Sequence, residues 1–296
     1  LNRYSIKDLE HICGIKAHTL RIWEQRYNIL EPKRTDTNIR WYDADDLKLI
    51  LNISFLNNHG VKISKIAKLS PDELRRQVRS IAESSVSFPD QIQALTFAMI
   101  ELDELQFEKI ISSNILRFGL EKTMVNIIFP FLSQIGILWQ TDSINPAQEH
   151  FITHLIRQKL IVAIDAQQNN YAPSIKKFLL FTPEGELHEL SLLFANYLVR
   201  SRGLRSIYLG QSLPLNDVFT ISDVHKPDFV FTIITSVPSN EDVEPYLKKL
   251  ASGLPHGKVI VTGYQVTSQE IPPIDNLQII KNMSEFIELL KMNQPD

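Results

Sequence analysis

Cysteine is almost absent from this chain: 296 residues contain one, Cys13. A lone thiol excludes internal disulfides and any cysteine-rich zinc cluster, and it fits a reducing compartment, the cytoplasm. An excess of one charge is also lacking, since 31 basic residues meet 34 acidic ones for a net charge of −3. The stretch 123–141 carries no charge, but Asn126, Pro130, Ser133, Gln134 and Gln140 interrupt it. It therefore reads as a buried helix, and no membrane span is expected. The opening residues, LNRYSIKD, hold three charges and no apolar run, which predicts no signal peptide in them. Internal repeats and low-complexity tracts are missing, and 44% apolar content excludes disorder.

What is present is asymmetry. Residues 1–80 hold 15 Lys/Arg against 10 Asp/Glu, whereas the remaining 216 hold 16 against 24. A basic head on an acidic body suits a protein that meets a polyanion at one end.

The head reads as short helices around a turn. Ser5 with Asp8 three residues on marks a helix start, Ile6, Leu9 and Ile12 follow at helical spacing, and Gly14 stops the helix. A second helix over 16–27 turns Leu20 and Trp23 inward and His18, Arg21, Gln25 and Arg26 outward. The polar segment 31–42 predicts a small hairpin, and helices at 43–58 and 62–84, broken near Pro71, complete the unit. Helix, tight turn and polar second helix form the helix-turn-helix arrangement, which lays the second helix in the major groove.

Farther along, Ile92, Leu95, Met99 and Leu102 give the first of four helices, with the others at 105–118, 120–139 and 145–168. After about residue 174 the period changes. Short apolar runs at 178–181, 206–209, 229–234, 259–261 and 277–280, separated by helix-length segments, predict a parallel sheet. The expected architecture is therefore a multidomain α and α/β chain. It comprises a winged helix-turn-helix head at 1–83, a four-helix bundle at 88–172 and a five-stranded, flavodoxin-like (Rossmann-like) domain at 173–296.

Tyr4-Ser-Ile-Lys-Asp-Leu9, Thr19-Leu-Arg-Ile-Trp-Glu-Gln-Arg-Tyr27, Pro32-Lys-Arg34 and Arg40-Trp-Tyr42 closely resemble the winged-helix head of MerR-type transcription regulators, over about residues 3–70. The resemblance implies double-stranded promoter DNA bound by a dimer. It implies contacts from Lys16, His18, Arg21 and Arg26 on the recognition helix, and from Arg34, Asn38, Arg40 and Tyr42 on the wing. MerR-type metal sensors share such a head but end in a long dimer helix and a cysteine loop, and neither pattern occurs here.

The first predicted strand ends at Phe181-Thr-Pro, which places His188 at the carboxyl edge of the sheet, where ligands bind in such folds. By itself this is a loop histidine, with or without a role. The spacing Glu186-x-His188-x-x-Ser191 resembles the Asp-x-His-x-x-Gly motif of cobalamin-binding domains, whose histidine becomes the lower axial ligand of cobalt. The resemblance implies His188 as the metal ligand, and Glu186 as the partner that fixes its tautomer. Ser236 and Gly263 would line the slot for the displaced nucleotide tail. Trp139, nine intervening residues and Glu149-His150 resemble the cap of light- or vitamin-responsive MerR regulators, the carotenoid-gene repressors. This implies that these three side chains cover the upper face of adenosyl- or methylcobalamin. His150 and His154, four residues apart, could mimic a zinc pair, but no third ligand accompanies them.

Departures accompany these matches. Ser191 replaces the motif glycine, Pro238 replaces a leucine, and Thr262 replaces the first of two glycines. Gln140 stands where some light-sensing members carry a histidine. The expectation is a DNA-binding regulator that senses a corrinoid and couples it to assembly as a dimer or tetramer. The alternative is a regulator whose sensor domain has lost cobalamin. A cobalamin-dependent enzyme would need a (β/α)₈ substrate barrel, a pattern not found here, so no enzyme is expected.

Overall fold

The computed structural model describes residues 3–35, 37–85, 87–140, 144–167, 175–237 and 243–294, with the side chains of 82–84 and 137–140 left out. By contacts the chain divides into two compact units, Leu1–Ile152 and Thr153–Asp296.

In the first unit, α1 (Ile6–Cys13) opens on the Ser5–Asp8 capping box and closes at Gly14, whose φ of +73° a glycine adopts without strain. Next come α2 (Ala17–Tyr27) and the antiparallel strands β1 (Lys33–Arg34) and β2 (Arg40–Trp41). Tyr4 and Tyr42 exchange backbone hydrogen bonds of 2.8 and 2.9 Å, so the base of this wing is fastened to the start of the chain. Helix α3 (Ala44–Asn58) starts from a second reciprocal cap, Asp43 with Asp46. Its Ser54 hydroxyl donates to the Cys13 carbonyl at 2.7 Å. Burial pushes the Cys13 thiol pKa up to about 11, leaving it unreactive near neutral pH. Helices α4 (Ile63–Ile66) and α5 (Pro71–Ser84) follow, with Pro71 in the first turn after the Ser70 cap.

Helix α6 (Phe88–Glu101) begins after a break of only residues 85–87 and packs on the head, with Phe97 edge-on to Phe55 at 6.2 Å. The head, α6 and the helices that follow as far as Ile152 fall within one unit. Helix α7 (Glu104–Thr123) changes direction at Gly119 (φ +80°), between the second and third helices expected from sequence. A π-type turn, Met124–Ile128, then leads into α8 (Phe129–Gln140). Pro130 accounts for the turn. A proline has no N–H and crowds the carbonyl four residues back, so the ladder widens and the Phe129 N–H donates to the Met124 carbonyl. Helix α9 (Pro146–Asp165) starts in this unit, and its Gln148 amide donates to the Ile100 carbonyl at 3.1 Å.

The second unit is a parallel sheet of β3 (Lys177–Pro183), β4 (Arg205–Leu213), β5 (Phe229–Ile233), β6 (Lys258–Thr262) and β7 (Leu277–Ile279), in the spatial order β4-β3-β5-β6-β7. Helices α10 (Leu190–Ser201), α11 (Leu215–His225), α12 (Glu244–Gly253), α13 (Tyr264–Thr267) and α14 (Met283–Met292) connect or follow the strands. Alternate strand residues feed two cores. Leu179, Phe181, Val230, Val259 and Val261 pack with Val218 of α11 and Leu247 and Leu250 of α12. Phe178 and Phe231 instead meet Phe286 of α14 at 6.3 and 4.2 Å. Burial on both sides explains the near-continuous apolar runs in the sequence. The order reverses between β3 and β5, and it is beyond the carboxyl ends of strands at such a switch point that ligands bind in open α/β sheets.

Candidate functional site

On the head, α2 exposes Lys16 at its N-cap and then His18, Arg21, Gln25 and Arg26, while Leu20 and Trp23 fill the core. Lys16 is ion-paired to Glu10 at 2.9 Å. At the wing, the Arg34 guanidinium donates to the Asn38 side-chain oxygen at 2.7 Å, stiffening a tip in which Asn38 takes a φ of +66°. Arg40 is half-buried, and among the described residues its buried Nε has no hydrogen-bond partner.

Tyr42 corrects an expectation. Sequence placed it among the DNA contacts, but it is fully buried, and its hydroxyl donates to the buried carboxylate of Glu24 on α2. The strand alternation that turns Trp41 outward turns Tyr42 inward, under α2. Sequence reasoning also passed over Arg3 and Lys33, whose cationic groups lie 4.8 and 5.5 Å from the Trp41 ring centre. Lys33 further bonds Asp43 at 2.5 Å and Asp46 at 3.2 Å, tying the wing to the start of α3.

At the carboxyl edge of the parallel sheet, the β3–α10 loop carries Glu186 and His188. Glu186 is fully buried. Its Oε1 accepts from the His188 backbone N–H at 3.1 Å and from His188 Nδ1 at 2.6 Å. Its Oε2 accepts from the backbone N–H groups of Thr235 at 2.8 Å and Ser236 at 2.6 Å, and the Ser236 hydroxyl lies 3.1 Å from both oxygens. Burial alone would raise the pKa of this carboxyl. The hydrogen bonds from His188, Ser236 and Thr235 overcome that penalty and lower it to about 2. An ionised carboxylate only accepts, so His188 Nδ1 carries a proton, and in the neutral ring Nε2 holds the lone pair. The imidazole is 64% exposed and begins the approach to α10 at the switch point between β3 and β5.

Ser236 thus joins Glu186 and His188 directly. Ser191 lies in the first turn of α10, half-buried, and makes none of these contacts. Gly263, at the end of β6, has a φ of +111°, and a Cβ there would come within 2.4 Å of the Ile234 carbonyl oxygen, so only glycine fits. Thr262 before it is buried, and its carbonyl accepts from the Ile234 N–H at 2.8 Å. Pro238 and the side chains of Trp139 and Gln140 lie outside the described residues. Glu149 and His150 belong to the first unit, with His150 Nδ1 3.8 Å from the Glu149 carboxylate. Residues that sequence did not single out are Thr235, whose backbone N–H donates to Glu186, and Arg157, which holds Glu189 at 3.0 Å.

The family model of the MerR HTH family regulatory protein matches residues 4–73, and that of the B12 binding domain matches residues 91–163. The chain is 28% identical over 269 residues to the HTH-type transcriptional repressor CarH of Myxococcus xanthus, with 88% of each protein covered. To the HTH-type transcriptional repressor CarA of the same organism it is 26% identical over 211 residues, covering 71% of this chain and 68% of CarA. This chain is a MerR-type transcription regulator with a B12-binding domain. Among solved structures, the Methanosarcina barkeri monomethylamine corrinoid protein superposes on the regulator with a TM-score of 0.54 at 14% identity, over 70% of the regulator and 100% of that chain. This last likeness is one of fold. No helix of the described residues is long and apolar enough to cross a membrane.

Proposed function

We propose that this regulator binds promoter DNA through α2 and the wing, and that a corrinoid held at the carboxyl edge of its sheet controls that binding. Glu186 carries the reading. A buried carboxylate locked onto His188 Nδ1 directs Nε2, the other ring nitrogen, as the ligating atom. The donor set fits such a group. One imidazole cannot hold a bare metal ion, and among the described residues no three His, Cys, Asp or Glu side chains gather into a metal site. A cobalt whose other ligands come with its corrin could be held by a single imidazole. Bound cobalamin, adenosyl- or methyl-, would supply a cobalt centre with an exchangeable ligand.

In this reading His188 would hold the cobalt through Nε2, Glu186 would fix its tautomer, and Ser236, Gly263 and Ser191 would line the slot for the nucleotide tail. Trp139, Glu149 and His150 would recognise the upper ligand. On DNA, Lys16, His18, Arg21 and Arg26 enter the major groove, while Arg34, Asn38 and Arg40 hold phosphates. The protein acts as a cytoplasmic, non-catalytic switch, and assembly into a homodimer or tetramer carries the signal to the head.

The test is a visible spectrum. Full-length protein mixed with cobalamin in the dark and then desalted should stay coloured, and His188→Ala should weaken retention and change the spectrum. A colourless wild type would instead support the regulator that has lost its vitamin. Recording spectra and promoter gel shifts with and without illumination reads the coupling to DNA.

A further inference from the structure

We propose that Ser212 is a positioning residue that holds the β3–α10 loop in the geometry from which His188 ligates; the role rests on the reading of His188 as an axial ligand. Ser212 lies on β4, not on the loop. It takes a φ of +61°, the left-handed region that a residue with a Cβ adopts at a cost and that persists where the surroundings enforce it. The pairing of β3 with β4 is irregular at the same level. Its register shifts between Leu180 and Phe181 and again between Phe181 and Pro183, and Gly210 has a φ of +89°. Such bulges re-aim side chains beside functional sites.

Here the re-aimed groups form a linked set of hydrogen bonds. The Gly185 N–H donates to Ser212 Oγ at 3.0 Å. The Ser212 N–H donates to Thr182 Oγ1 at 3.1 Å, and that buried hydroxyl donates in turn to the Glu186 carbonyl at 2.8 Å. The Glu186 N–H closes the turn on the Pro183 carbonyl at 2.9 Å. The residues on both sides of the turn are thus held from the sheet below, immediately before the carboxylate that orients His188. Glycine would follow the same backbone path without strain. What serine adds is the hydroxyl that accepts from Gly185.

Ser212→Gly separates the two contributions, because it relieves the positive φ while removing the acceptor. In the ligand-free full-length protein, the thermal midpoint of Ser212→Gly should hold or rise, while hydrogen exchange at the Gly185 amide quickens about tenfold. Affinity for hydroxocobalamin should fall about tenfold, in the range seen when residues that support a metal ligand are lost. In the cob(II)alamin form, the nitrogen splitting from histidine in the electron spin resonance spectrum should weaken. Ser212→Ala, which keeps the strain, should show the same losses. Wild-type protein without histidine splitting would defeat the reading of His188 as a ligand, and the positioning role of Ser212 with it. Full splitting and unchanged affinity in both variants, with wild-type splitting present, would overturn the positioning role alone.

Discussion

The hydroxyl of Tyr42, at the end of the wing, donates to the carboxylate of Glu24 on α2, and both side chains are buried. Burial first, and the Glu24 carboxylate second, push the tyrosine hydroxyl pKa up, so it remains a donor. The bond fixes the wing against the helix that it must accompany onto DNA. Tyr42→Phe leaves a buried carboxylate short of a partner, at a cost of about 1.5–3 kcal/mol. It should lower the thermal midpoint and weaken promoter binding without changing the slope of log K against log salt, because no phosphate contact is lost. Arg34→Ala should instead reduce that slope by about 1. A Tyr42→Phe slope reduced by the same amount would return Tyr42 to the DNA surface.

Glu186 predicts an acid signature. Its folded pKa of about 2 lies below the ordinary value of 4.5, so its stabilisation is complete above about pH 4.5 and is lost as pH falls toward 2. Glu186→Gln should therefore cost about 3 kcal/mol at pH 7 and progressively less in acid. Urea unfolding at pH 7 and pH 3 measures the difference, and an equal cost at both values would contradict the assignment.

His59 gives the opposite sign. It caps α3, bonds the Phe55 carbonyl through Nδ1 at 2.8 Å, and meets Asp90 of α6 through Nε2 at 3.0 Å. Partial burial works to lower its pKa, but the bonds to Phe55 and Asp90 outweigh it and raise the pKa above 6.5. The stabilisation from this pair is full below pH 6.5 and disappears as pH rises through the folded value. Asp90→Asn should lower the melting temperature at pH 6 and leave it nearly unchanged at pH 9. Equal shifts at the two pH values would show that the charge on His59 is not involved.

Two glycines of the second unit should separate steric crowding from backbone strain. Gly263→Ala drives a Cβ into the Ile234 backbone and should destabilise by more than about 2 kcal/mol. Gly185→Ala meets nothing nearer than Val237 Cγ2 at 3.7 Å, so only its positive φ opposes the change, at a cost of about 1 kcal/mol. Chemical denaturation of the two variants provides the comparison.

Much of this architecture was legible in the residues because its causes are local. The caps at Ser5, Asp43 and Ser70 act within one helical turn, Gly14 ends α1 by its own backbone freedom, and the apolar runs of the sheet report burial on both faces. Glu186 and His188 were legible for the same reason, being two residues apart on one loop. Tyr42 was misjudged because its direction depends on pairing with Tyr4 at the other end of the head, and the aromatic character that suits a DNA contact suits a core equally. Thr235 left no trace, since it contributes a backbone N–H that any residue but proline could supply. Sequence alone thus determined the segments, their order and the placing of Glu186 beside His188 on one loop. Tertiary structure decided which side chains face inward, how β4 reaches beneath the histidine loop, and which donors overcome the burial of Glu186, because each depends on groups that meet only once distant strands are in register.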